Sequence, residues 1–508
     1  MGDNRVKKSA QNMVTGFMYH AITLILSFVS RTVFIYALGE EYLGLNGIFT
    51  DVLSLLSMAD LGFGTAMAYT FYKPLAEKNE KQIASLIAFY KKVYNIIAVA
   101  VLVLGLACIP CLDLIVNTEK DIPNLEIYYL FSLAGIVISY MFVYKTTLLT
   151  ADQKDYKVVR IRIVTSIAKT LLQIVVLLIA KNYILYLAIG FVVQLTNNII
   201  ASRKAEKEYP YIKDKSLVGQ VDKSITANVF ANMKSVFIYK FSGTLFSATD
   251  NIIISVVVST AMVGVYSNYL MVSSKLLLIE QIVFSALTAS IGNVIVKESA
   301  KKRYEVFSAL QSASFIFCGI ITSVFALMAN DLVKVWLGSS FLLDDITIVA
   351  IMLNTYFSCV LQPLWSYRDA TGLYMKTKYV MLIGAILNIV LSFVLGNIMG
   401  IAGVIFASAI ARLSTYFWYE PKLLFKEYFE RGAGKYYISL LVNLLVVIAT
   451  VVLLGFVTRE IEVTGWGSLI IKGAIIGVVC SVIFMVAYSR TEGFKVIFNK
   501  AMQIVKRR

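Results

Sequence analysis

Residues 42–56, YLGLNGIFTDVLSLL, come back about 220 positions later as residues 262–278, MVGVYSNYLMVSSKLLL, with Gly44 over Gly264. Neither stretch alternates polar and apolar residues as a half-buried strand would; both are near-continuous apolar runs. The same offset carries KNEKQI (78–83) onto ESAKKR (298–303), with Lys81 over Lys301. It also carries TTLLTADQKDYK (146–157) onto YRDATGLYMKTK (367–378), with Thr150 over Thr371. An offset that holds at three separated places marks a tandem duplication of an apolar helical unit.

The composition says what those runs are. The chain has 508 residues, 58% hydrophobic and 15% charged, with a mean hydropathy of +0.76. Soluble domains carry about 25% charged residues, so this chain lacks the polar surface to cover a soluble core. The fold class it implies is an all-α polytopic membrane protein, because the strands of a transmembrane β-barrel alternate and these runs do not. A spanning helix needs about 20 apolar residues. About fourteen runs qualify: 12–37, 44–71, 93–116, 126–149, 159–180, 183–201, 227–256, 262–295, 306–329, 345–367, 379–398, 401–419, 436–457 and 466–488. The loops between them are too short for an extramembrane domain, and the longest, 202–224, reads as a polar surface segment.

The net charge of +16 forms no continuous basic stripe, so nucleic acid is not an expected partner. Instead it sorts by side. With the N-terminus inside, the inner segments hold most of the cations, such as Lys7, Lys8, Lys91, Lys92, Arg203, Lys204 and Lys301, while the outer ones hold only Lys120, Lys181, Lys334 and Arg459. A missed or extra helix would scramble that alternation, so an even count with both termini cytoplasmic is expected. Six runs per repeat is also even. The two six-helix lobes then share an orientation and a pseudo-two-fold axis along the membrane normal, with two C-terminal helices outside the duplication. The expected divisions are 1–204, a cytoplasmic linker at 205–224, 225–425, and 426–508. The first run is too long for a cleavable signal, and Val6 stands where myristoylation needs Ser or Thr. Cys108 and Cys111 form a C-x-x-C with no second pair to complete a zinc set.

Charges inside spanning helices cost about 2.5–3.5 kcal/mol each at the bilayer centre and read first as functional. Those here are Arg31, Asp51, Asp60, Lys169, Lys234, Lys240, Asp250, Lys275, Glu280, Arg412 and Lys472. The deeper ones concentrate in runs one, two, seven and eight, the symmetry-related openers of each half. A net-basic lining points to an anionic, amphiphilic substrate whose head crosses in a wet seam while its tail stays in lipid. Arg31, Lys240 and Lys275 are the expected headgroup contacts, with Lys234 and Arg412 behind them. Asp60, then Asp250, Glu280 and Asp51, are candidates for gating or for coupling to H+ or Na+. Structural readings stand beside these: an Arg31–Asp51 ion pair, pairing of Lys169 and Arg412 within their own bundles, and snorkelling by Lys234 and Lys472. No phosphate-binding G-x-x-x-x-G-K-[ST] loop occurs, and His20 is the only histidine, so neither ATP hydrolysis by that route nor a multi-histidine relay is expected. No organic cofactor and no resident metal are expected.

The opening SFVSRTVFIYALGEEYLGLNGIFTDVLSLLSMADLGFGTAMAYTFYKPLAEKN (27–79) resembles the first two helices of the Wzx-type polysaccharide flippases. LNIVLSFVLGNIMGIAGVIFASAIARL (387–413) resembles helices eleven and twelve of the same group. That group is a branch of the multidrug/oligosaccharidyl-lipid/polysaccharide exporter superfamily, and the resemblance runs along essentially the whole chain. It implies a cationic central cavity and no enzymatic activity. It also implies translocation of an undecaprenyl-pyrophosphate-linked glycan to the outer leaflet of the bacterial plasma membrane for capsule or other surface polysaccharide, beside the glycosyltransferases and polymerase of that pathway. Family members often carry basic residues in the first, seventh and eighth helices, which Arg31, Lys240 and Lys275 match by location. Three other readings stay open: a lipid II-type flippase, an ion-coupled drug or metabolite antiporter of the same fold, and a membrane glycosyltransferase or polymerase.

Overall fold

In the computed structural model, residues 2–57, 63–119, 122–221 and 223–495 are described. Side chains are described for all of these except 2–7, 9, 10, 65, 66, 223–235, 286 and 289. The chain runs through α1 (Gly2–Leu38), α2 (Glu40–Leu56), α3 (Phe63–Glu77), α4 (Glu80–Ala107), α5 (Leu112–Ile115), α6 (Leu125–Ala151), α7 (Asp155–Ala180), α8 (Tyr183–Glu208) and α9 (Lys223–Val257). It continues through α10 (Thr260–Lys297), α11 (Ala300–Leu337), α12 (Asp345–Val360), α13 (Gln362–Thr371), α14 (Tyr374–Met399), α15 (Ile401–Ser414), α16 (Tyr416–Leu424), α17 (Gly434–Val457) and α18 (Trp466–Tyr488). There is no strand among the described residues, so the all-helical class read from the runs is correct.

The duplication is visible in where helices begin. Gly2 stands against Lys223, Glu40 against Thr260, Glu80 against Ala300, Leu125 against Asp345, Asp155 against Tyr374 and Tyr183 against Ile401, each pair about 220 residues apart. One pair even keeps its cap. The Asn79 side chain accepts from the Gln82 amide to start α4, and the Ser299 side chain accepts from the Lys302 amide to start α11. Such caps satisfy amides that the first helical turn leaves open.

Eleven helices among the described residues are long and apolar enough to cross a membrane, and α12 with α13, bent by 43° at Leu361, makes up to twelve. The expected count of fourteen is not reached. Runs 44–71 and 227–256 are absent from the set: residues 58–62 of the first lie outside the described residues, and the second puts Lys234, Lys240 and Asp250 into one helix.

Two compact units appear, Met1–Gly264 and Val265–Arg508. The packing divides inside α10, whereas the duplication divides near residue 225, because α9 packs on α2 and α3. The first unit is filled by aromatics. Phe63 lies edge-on to Tyr90 and Tyr94, and Tyr183 meets Tyr42, Tyr128 and Phe34. Edge-to-face geometry suits ring quadrupoles and adds to the burial itself. In the second unit α11 is the central element, with α12, α17 and α18 against it. Phe307, Phe425, Phe429 and Tyr436 form its aromatic end. The two helices outside the duplication are bonded to this unit: Lys472 of α18 pairs with Asp331 of α11 at 2.8 Å, and Asn443 of α17 donates to Phe315 O of α11 at 3.5 Å.

The segment expected to lie on the surface after α8 docks on the first unit through short 3₁₀ turns at Pro210–Lys213 and Lys215–Leu217. The Gly219 amide donates to Ser85 Oγ at 2.9 Å. An ion-pair network anchors the root of this segment. Asp152 accepts from Lys8 and Lys154, Glu208 from Lys154 and Lys157, and Glu206 from Lys145 and Lys213. Tyr209 donates to Asp152 at 2.8 Å.

Candidate functional site

The repeat alignment singled out Gly44 and Gly264, and these two glycines touch the other repeat's helix start. A Cβ on Gly44 would fall 1.9 Å from the carbonyl oxygen of Thr260; one on Gly264 would fall 2.0 Å from that of Glu40. The two contacts are symmetry mates, since Glu40 and Thr260 begin equivalent helices. Backbones this close exclude any side chain at either position.

Around the crossing lies a polar latch. The Thr260 amide donates to Asn117 O at 2.7 Å, and the Asn117 amide donates to Thr260 Oγ1 at 3.0 Å. Ser255 Oγ donates to Ile115 O at 2.6 Å, and Asn117 Nδ2 donates to Val258 O at 3.3 Å. The loop after α5 is thereby tied to the α9–α10 connection, at the end of the bundle that the charge alternation assigns to the outside.

Two turns inward of Gly44, Asn251 Nδ2 of α9 donates to Asp51 Oδ2 of α2 at 2.7 Å. Asp250 lies near enough for its charge to act on Asp51. Asn251 Oδ1 is buried with no hydrogen-bond partner among the described residues. The Asp51 carboxylate and an unsatisfied amide oxygen therefore meet between α2 and α9, with Asp250 next to Asn251 in the chain. This is a set of hard oxygen donors with a charge deficit, suited to a proton or a small hard cation.

Of the expected cations, Lys240 is half-buried on α9. Eleven residues separate it from Asn251, about three turns and within ~20° around the helix. It sits on the face that carries Asn251, about 16 Å further inward. Lys275 is likewise eleven residues inward of Gly264 along α10 and half-buried. Arg31 of α1 is placed beside Tyr186, whose hydroxyl shares a hydrogen bond with Ser30. Asp51, its alternative partner by sequence, is bonded to Asn251. Lys234 lies on α9 with its side chain outside the described set, and Asp60 lies outside the described residues altogether.

The remaining two candidates sit inside the second unit. Glu280 is fully buried and accepts from Ser314 Oγ at 2.9 Å and from the Cys359 thiol. Arg412 is buried, with its guanidinium donating to the Tyr416 hydroxyl at 3.0 Å and to Ser358 Oγ at 3.4 Å. The geometry thus brings Asp51 onto Asn251, beside Asp250 in the chain, and puts Lys240 on the Asn251 face of α9. It holds Glu280 and Arg412 among neutral partners elsewhere. Sequence reading missed Asn251, although Asn251 stands in the second repeat where Arg31 stands in the first. It also missed Asn117, Ser255, Thr260 and Asp331, none of which carries a signal in a single sequence.

No group of three or more His, Cys, Asp and Glu side chains placed to hold a metal occurs among the described residues.

Neither models of protein families nor curated protein sequences give a match to this chain. Solved structures do. The lipid II flippase MurJ in an inward closed conformation superposes with a TM-score of 0.65 at 14% identity, covering 94% of this chain and 98% of MurJ. An inward-facing multidrug resistance MATE family transporter of the MOP superfamily gives 0.58 at 12% identity, covering 78% and 93%. A MATE transporter from Vibrio cholerae gives 0.52 at 16%, covering 83% and 98%. At such identities the likeness speaks to architecture. With its duplicated apolar helices, the chain is a multi-pass membrane protein with the fold of the multidrug/oligosaccharidyl-lipid/polysaccharide exporters.

Proposed function

We propose that the protein is a flippase that carries a lipid-linked, anionic oligosaccharide from the inner to the outer leaflet by alternating access. The observation that carries the reading is the pair of reciprocal glycine contacts between equivalent helix starts. A contact that admits no side chain, and that is repeated about a two-fold, fits a gate that must close fully and part again. Lys275 lies about three turns inward of it along α10, and Lys240 about three turns inward of Asn251 along α9. Together with Arg31 they supply the charge for a pyrophosphate or acidic-sugar headgroup: guanidinium as a bidentate fork and ammonium as a point charge. Asp51, Asp250 and Asn251 supply a coupling or gating element sensitive to H+ or Na+. Protonation, or a bound cation, would relieve the carboxylate pair and strengthen the closed state. Undecaprenyl-pyrophosphate-linked repeat units are the proposed cargo, and the bacterial plasma membrane, with both termini cytoplasmic, is the proposed location.

The test is translocation of a glycan-linked polyprenyl pyrophosphate in vesicles holding the purified protein. Single Ala variants of Arg31, Lys240 and Lys275 should each slow it by about tenfold or more, the loss of one charge-assisted contact. Wild-type rates in all three at equal incorporation would remove the headgroup assignment. A second reading, lipid II transport, is favoured by the near full-length superposition on MurJ. It predicts faster movement of lipid II than of a capsule-type repeat unit in the same vesicles.

A further inference from the structure

A cavity of about 530 Å³ opens between the ends of α7 and α8 on the side assigned to the cytoplasm, away from the gate and its acidic pair. Its walls carry five cations: Lys157 and Arg160 from α7, and Arg203, Lys204 and Lys207 from α8. The spacings i, i+3 on α7 and i, i+1, i+4 on α8 bring each set to one helix face. Lys157 is tied to Glu208. The other four are exposed, and no carboxylate pairs with them among the described residues. Arg160 lies over the Tyr156 ring at 5.3 Å. The floor is apolar, made by Ile161 and Ile200.

That floor continues up the bundle. On α7 the exposed Val164, Leu171, Val175 and Leu178 follow Arg160 and Ile161 along the same side of the helix. On α8 the exposed Leu185, Val192 and Ile200 run along the side of the helix that carries Arg203 and Lys207. Lys169 and Arg162, also exposed on α7, fall about 120–180° around the helix from those four apolar residues of α7. The cation-walled cavity thus caps an apolar strip that avoids the other charges of its helix.

We propose that this cavity is a binding site for the headgroup of an anionic phospholipid of the inner leaflet. The phosphodiester would sit among Arg160, Arg203 and Lys204, and the acyl chains would lie along the α7–α8 strip. A soluble anion has no use for the strip, and a neutral lipid has none for four unpaired cations. Basic pockets at the cytoplasmic ends of spanning helices recognise headgroups in this way.

The full-length protein is equilibrated in vesicles of phosphatidylcholine and phosphatidylglycerol, extracted, and its retained lipids counted by mass spectrometry. Wild type should retain phosphatidylglycerol well above its share of the vesicle. The triple variant R160Q/R203Q/K204Q should lose that enrichment about tenfold or more. A control with equal charge removed elsewhere on the same side, K91Q/K92Q/K301Q, should keep it. Melting in phosphatidylcholine alone reports folding. If the triple variant is unfolded, R160Q and K204Q singly should each lose about threefold. Undiminished enrichment in the folded variants overturns the proposal, as does equal loss in the control. Displacement of the lipid by millimolar inorganic phosphate overturns it too, because that would mark an ion site with no part for the strip.

Discussion

At the scale of single residues, Gly44 and Gly264 are the positions where chemistry leaves least choice. Each faces a backbone carbonyl at a distance no side chain tolerates. Gly44→Leu or Gly264→Leu should therefore prop the proposed gate apart without disturbing the helices that carry it. The expected outcome is loss of transport with increased labelling of Ser247→Cys by an impermeant thiol reagent from outside, in a background without the native cysteines. Ser247 is exposed one turn inward of Asn251 on α9. Unchanged labelling would mean that these glycines serve packing alone. Asp51→Asn should keep the contact to Asn251 while removing a charge from the pair. Its expected signature is transport that no longer responds to pH or Na+, measured in the same vesicles.

At the scale of elements, the linker after α8 is held by charge rather than by apolar burial. Burial pushes the Asp152 carboxyl up, but hydrogen bonds from Lys154, Tyr209 and Lys8 outweigh it and hold the group below its ordinary value. A carboxyl lowered on folding contributes stability above its unfolded value and loses it as pH falls through the folded one. The tether should therefore be at full strength above about pH 5 and loosen below about pH 4. Lys154 is shifted the other way: burial lowers it, and its bonds to Asp152 and Glu208 more than compensate. Its contribution is lost only in strong alkali. Hydrogen exchange across residues 209–221 should speed up on acidification, and Asp152→Asn should bring that faster exchange to neutral pH.

At the scale of the whole molecule, α17 and α18 are fastened to α11 by contacts that have no counterpart in the first half. A Cβ on Gly319 would strike the Phe484 ring at 2.2 Å. Gly319→Val should push α18 away and lower stability by about 1–3 kcal/mol, the usual cost of overpacking. Lys472→Met leaves Asp331 without its partner and should cost about 2 kcal/mol, as for a lost charge-assisted bond. Both are read as a fall in melting temperature in lipid. If the pair is only a fastening, transport per folded molecule should be unchanged in either variant.

The sequence by itself determined the class and the duplication. Continuous apolar runs have one solution in lipid, and a repeated glycine keeps its place through an offset that can be counted. It also found Gly44 over Gly264 without knowing that the two helix starts meet. Only the tertiary structure decided which charges lie near which partners. Glu280 and Lys240 look alike in a hydropathy profile, yet one is enclosed by Ser314 and Cys359 while the other shares a helix face with Asn251. The partners of Asp51 and Lys472, Asn251 and Asp331, stand 200 and 141 residues away in the chain. Hydropathy is a sum over neighbours in sequence, whereas a hydrogen bond depends on neighbours in space.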